Sequence, residues 1–134
     1  MLINLSNHSV KNWEERQIAE AQKLYGKVVD LTFPQIGPSL DENEIENLVN
    51  VYFLKCLKIL EESKEPDNAV HLMGEFTFVF QLTHKLLNEG VEVIASTTKR
   101  ESVEENEVKL SRFNFVRFRK YKIPSQNNSE TANT

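Results

Sequence analysis

The chain has 134 residues, enough for one domain with a sizeable core. Its 40% hydrophobic and 27% charged residues are ordinary for a globular protein, and a net charge of −4 argues against indiscriminate coating of nucleic acid, so no stable DNA binding is expected. A single cysteine, Cys56, excludes an internal disulfide and a multi-cysteine metal site, while the lack of a membrane-length apolar run or a leader-like pattern makes a cytoplasmic location the expectation.

Met1 to Leu5 reads as a short apolar strand that leaves through Ser6-Asn7-His8-Ser9, residues suited both to a turn and to facing a ligand. A helical pattern from Val10 to Tyr25 places Trp13, Ile18, Ala21, Leu24 and Tyr25 inward, and Gly26 stops it. Lys27 to Leu31 is a second strand closed by Thr32-Phe33-Pro34, and Gln35 to Pro38 is a loop. Asp41 is the expected N-cap of a long helix running to about Glu62, with Glu44 as its capping-box partner. Ile45, Leu48, Val49, Tyr52, Phe53, Cys56, Leu57 and Leu60 recur at spacings of three and four and make one buried stripe. The acidic start of this helix suits the positive end of its dipole and needs no functional explanation.

The stretch from Ala69 to Phe80 is the centre of the pattern. Val70, Leu72 and Met73 form the apolar body of a strand, and Gly74 permits a tight exit. Glu75, Phe76 and Thr77 then fall in a first helical turn, where backbone N–H groups lack helical partners. Equally, Gly74 could only close the turn and Glu75 only complement the helix dipole. The helix from Phe76 to about Asn88 is apolar on several sides, which marks either a central packed helix or half of a subunit interface. Val91 to Ala95 is a fourth strand leaving through Ser96-Thr97-Thr98-Lys99-Arg100. Glu101 to Val108 is polar with a turn near Glu105-Asn106, and Val108 to Tyr121 is strand-like with repeated aromatics. These read as a hairpin that adds antiparallel strands to one sheet edge. Residues 1–123 form the domain, and 124–134 a disordered tail.

The expected fold is therefore α/β: a small Rossmann-like domain of four parallel strands in the order 2-1-3-4, three helices and a C-terminal antiparallel hairpin. That order sets Ser6-Asn7-His8 opposite Gly74-Glu75-Phe76-Thr77 across a crevice, with Thr97-Thr98-Lys99-Arg100 arriving from the fourth strand. The combined chemistry suits phosphate. Lys99 and Arg100 bring positive charge, Ser6 and the threonines bring hydroxyls, and the helix start brings N–H groups. Glu75 would repel phosphate but could accept from a ribose hydroxyl or a base amine. No GxGxxG or Walker loop is present. His8 is the candidate for proton transfer, because an imidazole changes charge near neutrality; a histidine there also serves as a plain turn residue. His71 reads as a satisfied core histidine and His84 as a surface one. The three lack ligand spacing, so neither a metal nor another cofactor is expected. No Ser/His/Asp set or nucleophile elbow is evident. Lys109, Arg112, Arg117, Arg119, Lys120 and Lys122 make the last strand basic, either to contact nucleic acid or to protect a sheet edge.

Asn4-Leu-Ser-Asn-His8, Phe33-Pro34, His71-Leu-Met-Gly-Glu-Phe-Thr77, Ala95-Ser-Thr-Thr-Lys-Arg100 and Phe115-Val-Arg-Phe-Arg119 together resemble the small stand-alone CRISPR-associated Rossmann-fold (CARF) proteins and short ring nucleases of type III CRISPR loci. The resemblance spans about residues 1–121. It implies a homodimer that binds a cyclic oligoadenylate across its two-fold axis and opens it as a metal-independent phosphodiesterase. By position, Ser6 and Thr98 would orient the ring, Lys99 and Arg100 would stabilise the phosphoryl charge, and His8 would move the proton. Asn7, Gly74, Glu75, Phe76, Thr77 and Thr97 would complete the contacts. The chain departs from the group in having one glycine, Gly74, where a glycine-rich ligand loop is usual. A non-catalytic sensor or sponge for the same ligand, or a structural dimer without one, would carry the same residues.

Overall fold

The apolar strand patterns form one sheet at the centre of the computed structural model, which describes residues 1–125. The elements run β1 (Leu2–Leu5), α1 (Glu15–Tyr25), β2 (Val28–Asp30), α2 (Glu42–Glu61), β3 (Ala69–Leu72), α3 (Phe76–Asn88), β4 (Glu92–Glu105) and β5 (Val108–Lys120). The strand order is β2-β1-β3-β4-β5. β1 pairs in parallel with β2 and β3, and β3 with β4, whereas β4 and β5 are antiparallel. The expected order 2-1-3-4 is present, but the sheet is mixed. The hairpin is not a separate addition to a four-stranded parallel sheet, because β4 runs on unbroken and forms its first arm.

Alternation along the strands divides the core in two. Ile3, Leu5, Val70, Leu72 and Val93 pack under α2 and α3, against Ile45, Val49, Cys56, Phe78, Leu82 and Leu86. Leu2, Ala69 and Ile94 face the other way, toward Trp13, Ala21 and Tyr25 beside α1 and toward Phe115 and Phe118 of β5. One helix thus covers this second face and two cover the first. Burial pushes the Cys56 thiol up to about 12, as befits a core thiol.

Local signals explain most boundaries. Asp41 caps α2 through the backbone N–H groups of Asn43 and Glu44, and Glu44 completes the capping box. Gly26 ends α1 with φ at 78°, a positive value that glycine adopts without the strain a side chain would bring. Gly74 serves a different purpose: the Phe33 ring occupies the space where a Cβ would stand.

Several expectations need correcting. The first helical segment is two pieces, a 3₁₀ turn at Val10–Asn12 and then α1, and Leu24 is exposed rather than inward. Met73 also lies at the surface, where its sulfur accepts from the Ser96 N–H. Ser96 to Arg100 is not a strand exit but the middle of β4, held by the ladder to β5. The hairpin turn falls at Asn106-Glu107, both at positive φ, one residue later than expected. Of the tail expected at 124–134, all beyond residue 125 lies outside the described residues. Among the described residues no helix is long and apolar enough to cross a membrane.

Candidate functional site

β1 and β3 end side by side while β4 runs on past them, and β1 leads through α1 to β2 on one side while β3 lies on the other. That arrangement leaves a crevice at the carboxyl ends of the strands. Polar residues enter the sheet here on the face that α1 covers. Asn4 and His71 are aligned partners in the β1–β3 ladder, and Ser96 lies two residues beyond Ile94, the β4 partner of His71. Asn4 and His71 are each only 2% exposed.

Their hydrogen bonds have a definite direction. The Asn4 amide nitrogen donates to Asp30 Oδ1 at 2.9 Å and to the His8 carbonyl at 2.8 Å. Asn4 Oδ1 must therefore accept. It takes the Ser6 hydroxyl at 2.8 Å and His71 Nδ1–H at 2.9 Å. With its proton on Nδ1, His71 offers the Nε2 lone pair to the Ser96 hydroxyl, 2.6 Å away. Gln17 Nε2 donates to the same Ser96 oxygen at 3.0 Å. The Trp13 ring meets the imidazole edge-on at 5.0 Å, and Phe118 packs at 5.8 Å. Burial pushes the His71 pKa down to about 4, so the ring is neutral at ordinary pH.

The crevice over this row has a volume of about 580 Å³. Ser6, Asn7, His8, Gly74 and Thr98 line it, together with His71 and Ser96. A neighbouring hollow of about 610 Å³ lies on the β2 side of the same turn, where Ser6 and Asn7 again contribute and Glu75 joins them. The β1 exit is thus a ridge between two depressions.

The other expected site residues are placed elsewhere. Phe76, Thr77, Thr97, Lys99 and Arg100 line neither depression. Alternation along β4 puts Arg100 on the face of Ser96 and Thr98 and Lys99 on the opposite one. Arg100 lies at the crevice mouth: it donates to Ser111 Oγ at 3.0 Å and stacks 5.9 Å from the ring centre of Phe113, itself a lining residue. Thr97 is spent on the ladder, bonding the backbone of Arg117. The start of α3 does not offer its N–H groups to a ligand. The Glu75 carboxylate accepts from the N–H groups of Thr77 and Phe78 and from the Thr77 hydroxyl, and these bonds hold its pKa below the usual carboxylate value.

Asn4, Asp30 and Ser96 were not legible as site residues, and the structure brings together a Ser–His–Asn row where the sequence displayed no such set. The available signal was a pair of polar residues, Asn4 and His71, inside otherwise apolar strands. Among the described residues, no cluster of three or more His, Cys, Asp or Glu could hold a metal ion. Residues 1–119 match the model of one protein family, described as the Uncharacterized protein MJ1673 family. No curated protein and no solved structure matches the chain.

Proposed function

The chain belongs to the MJ1673 family, and we propose that it binds a cyclic oligoadenylate in the crevice at the ends of β1 and β3, beside the middle of β4, and slowly opens it, as a ring nuclease of type III CRISPR signalling would. The observation that carries this reading is the convergence of Ser6, Asn7, His8, Gly74 and Thr98 on one crevice at the switch point of an α/β sheet. Amide, hydroxyl and imidazole groups there suit ribose hydroxyls and base edges, while Arg100 at the mouth suits a phosphate. Opening a ribose phosphodiester without a metal needs the 2′-OH held in line with phosphorus and the phosphoryl charge stabilised. Positioning residues supply most of this, which is why turnover is slow.

Assembly is part of the same proposal. Phe76 and Phe80, one turn apart on α3, are 88% and 73% exposed, and Phe113 stands exposed on the hairpin. Apolar surface of this kind fits a two-fold homodimer whose crevices face a shared axis. One observation favours capture without cleavage: among the described residues no lysine or arginine lines the crevice, and Glu14 does. Incubating the protein with a panel of cyclic oligoadenylates in EDTA, and following both binding and products, tests the proposal. Binding with linear products supports the ring nuclease, binding alone supports a sponge, and neither would refute both.

A further inference from the structure

We infer that the Ser96 hydroxyl takes the proton from the attacking ribose 2′-OH, with His71 as the final acceptor and Asn4 and Asp30 holding that ring in place; this rests on the ring-opening reading above. The hydrogen-bond directions carry the inference. Ser96 spends its proton on His71 Nε2 and one lone pair on Gln17, which leaves the second lone pair to accept from a hydroxyl in the crevice it lines. Behind it the row continues from His71 to Asn4 to Asp30, each member fixed by the next.

A buried polar row inside an apolar sheet is expensive to build unless fully satisfied, and this one is satisfied from its carboxylate end to the crevice. The His8 ring, by contrast, has no hydrogen-bond partner among the described residues that would fix its orientation. The groups facing His71 are the Trp13 and Phe118 rings, with Asp30 reached through Asn4 and the Glu14 carboxylate on the crevice wall. Burial keeps the ring neutral with its Nε2 lone pair open, and makes it a weak base that holds a proton only briefly before returning it.

The 2′-oxygen bonds to phosphorus as its proton passes to Ser96 Oγ, and the proton of Ser96 passes to His71 Nε2. The bond from phosphorus to the 5′-oxygen breaks, and that oxygen takes a proton from water at the open mouth. The products are a 2′,3′-cyclic phosphate and a 5′-hydroxyl, and the imidazolium returns its proton through Ser96 to solvent. Asn4 Oδ1, accepting from Nδ1–H, stabilises the imidazolium while it lasts.

Single-turnover cleavage of cyclic oligoadenylates in EDTA, from pH 4 to 8, is measured beside equilibrium binding for wild type, Ser96→Ala, Ser96→Thr and His71→Gln. Ser96→Ala is expected to slow cleavage by about 10²–10⁴-fold, with the dissociation constant within about threefold of wild type. Ser96→Thr, which keeps the hydroxyl, is expected to recover part of the rate. The wild-type rate should fall on the acid side as His71 becomes protonated, and Ser96→Ala should lose that limb. Should His71→Gln fail to fold, Ser96→Ala decides the question by itself. Full-rate cleavage by Ser96→Ala would overturn the inference and leave the ring-nuclease reading standing. No cleavage by wild type would overturn both.

Discussion

Acidification should destabilise this protein through His71, starting as the pH falls below about 6.5. The ring is buried and neutral, with a folded-state pKa pushed down to about 4 by desolvation. In the unfolded chain a histidine titrates near 6.5. As pH falls between those values the unfolded state binds a proton that the folded state refuses, so stability falls with pH across that window and is complete above it. At 1.36 kcal/mol per pH unit the full loss is roughly 3 kcal/mol, a large part of the stability of a domain this size. The depressed Glu75 carboxylate adds a loss of the same sign only at lower pH, where it protonates. Urea melts at pH 7.5, 6 and 5, followed by fluorescence of Trp13, which packs on the His71 ring, measure the slope. His71→Asn should lower stability at pH 7.5 but flatten the dependence on pH between 7.5 and 5. Equal stability of wild type at pH 7.5 and 5, or an unchanged slope in His71→Asn, would show that His71 is not the group whose protonation unfolds the protein.

Other outcomes follow from single contacts. Gly74→Ala should cost about 1–3 kcal/mol in thermal denaturation, because the Phe33 ring must leave the space its Cβ would take. Asp41→Ala removes the capping box of α2 and should cost about 1 kcal/mol by chemical denaturation. Arg100→Ala should weaken cyclic oligoadenylate binding by about 1.5–3 kcal/mol in a titration, while melting changes little, since its contacts to Ser111 and Phe113 are exposed. If the proposed homodimer forms through α3, Phe76→Glu with Phe80→Glu should leave a monomer in light scattering without unfolding it, because both rings stand in solvent.

What could be read from the sequence was local. Asp41 and Glu44 lie three residues apart, and Gly26 follows its helix directly, so each signal sits within one turn of the structure it causes. The strand order was legible because short apolar strands alternating with helices leave few topologies. The extent of β4 was not. From Thr98 to Glu105 it forms a ribbon with β5 that is largely exposed, so no apolar alternation marks it and its hydroxyl and charged residues resemble a loop. Thr97 and Thr98 did carry a β-branched preference for strand. A second irregularity hides nearby. The ladder shifts register at Thr97/Thr98, which leaves Val116 unpaired and lets Phe115 and Phe118 both face the core despite a spacing of three. The Ser96–His71–Asn4 row was invisible for a different reason: its members come from three strands, and only the register of two parallel ladders aligns them. Glu75 was expected as a ligand contact, with a helix-start role as the alternative; it is the N-cap of α3, and bonds to its own helix could not be told in advance from bonds to a ligand.

We propose that one ring of adenylates is held between the two crevices of a dimer. The most direct measurement is a calorimetric titration of the Ser96→Ala protein with cyclic oligoadenylates of different sizes, the variant slowing turnover during the experiment. Saturation is expected at one ring for every two chains, with a dimer mass by light scattering before and after. Saturation at one ring per chain on a monomer, or no heat with any ring, would contradict it.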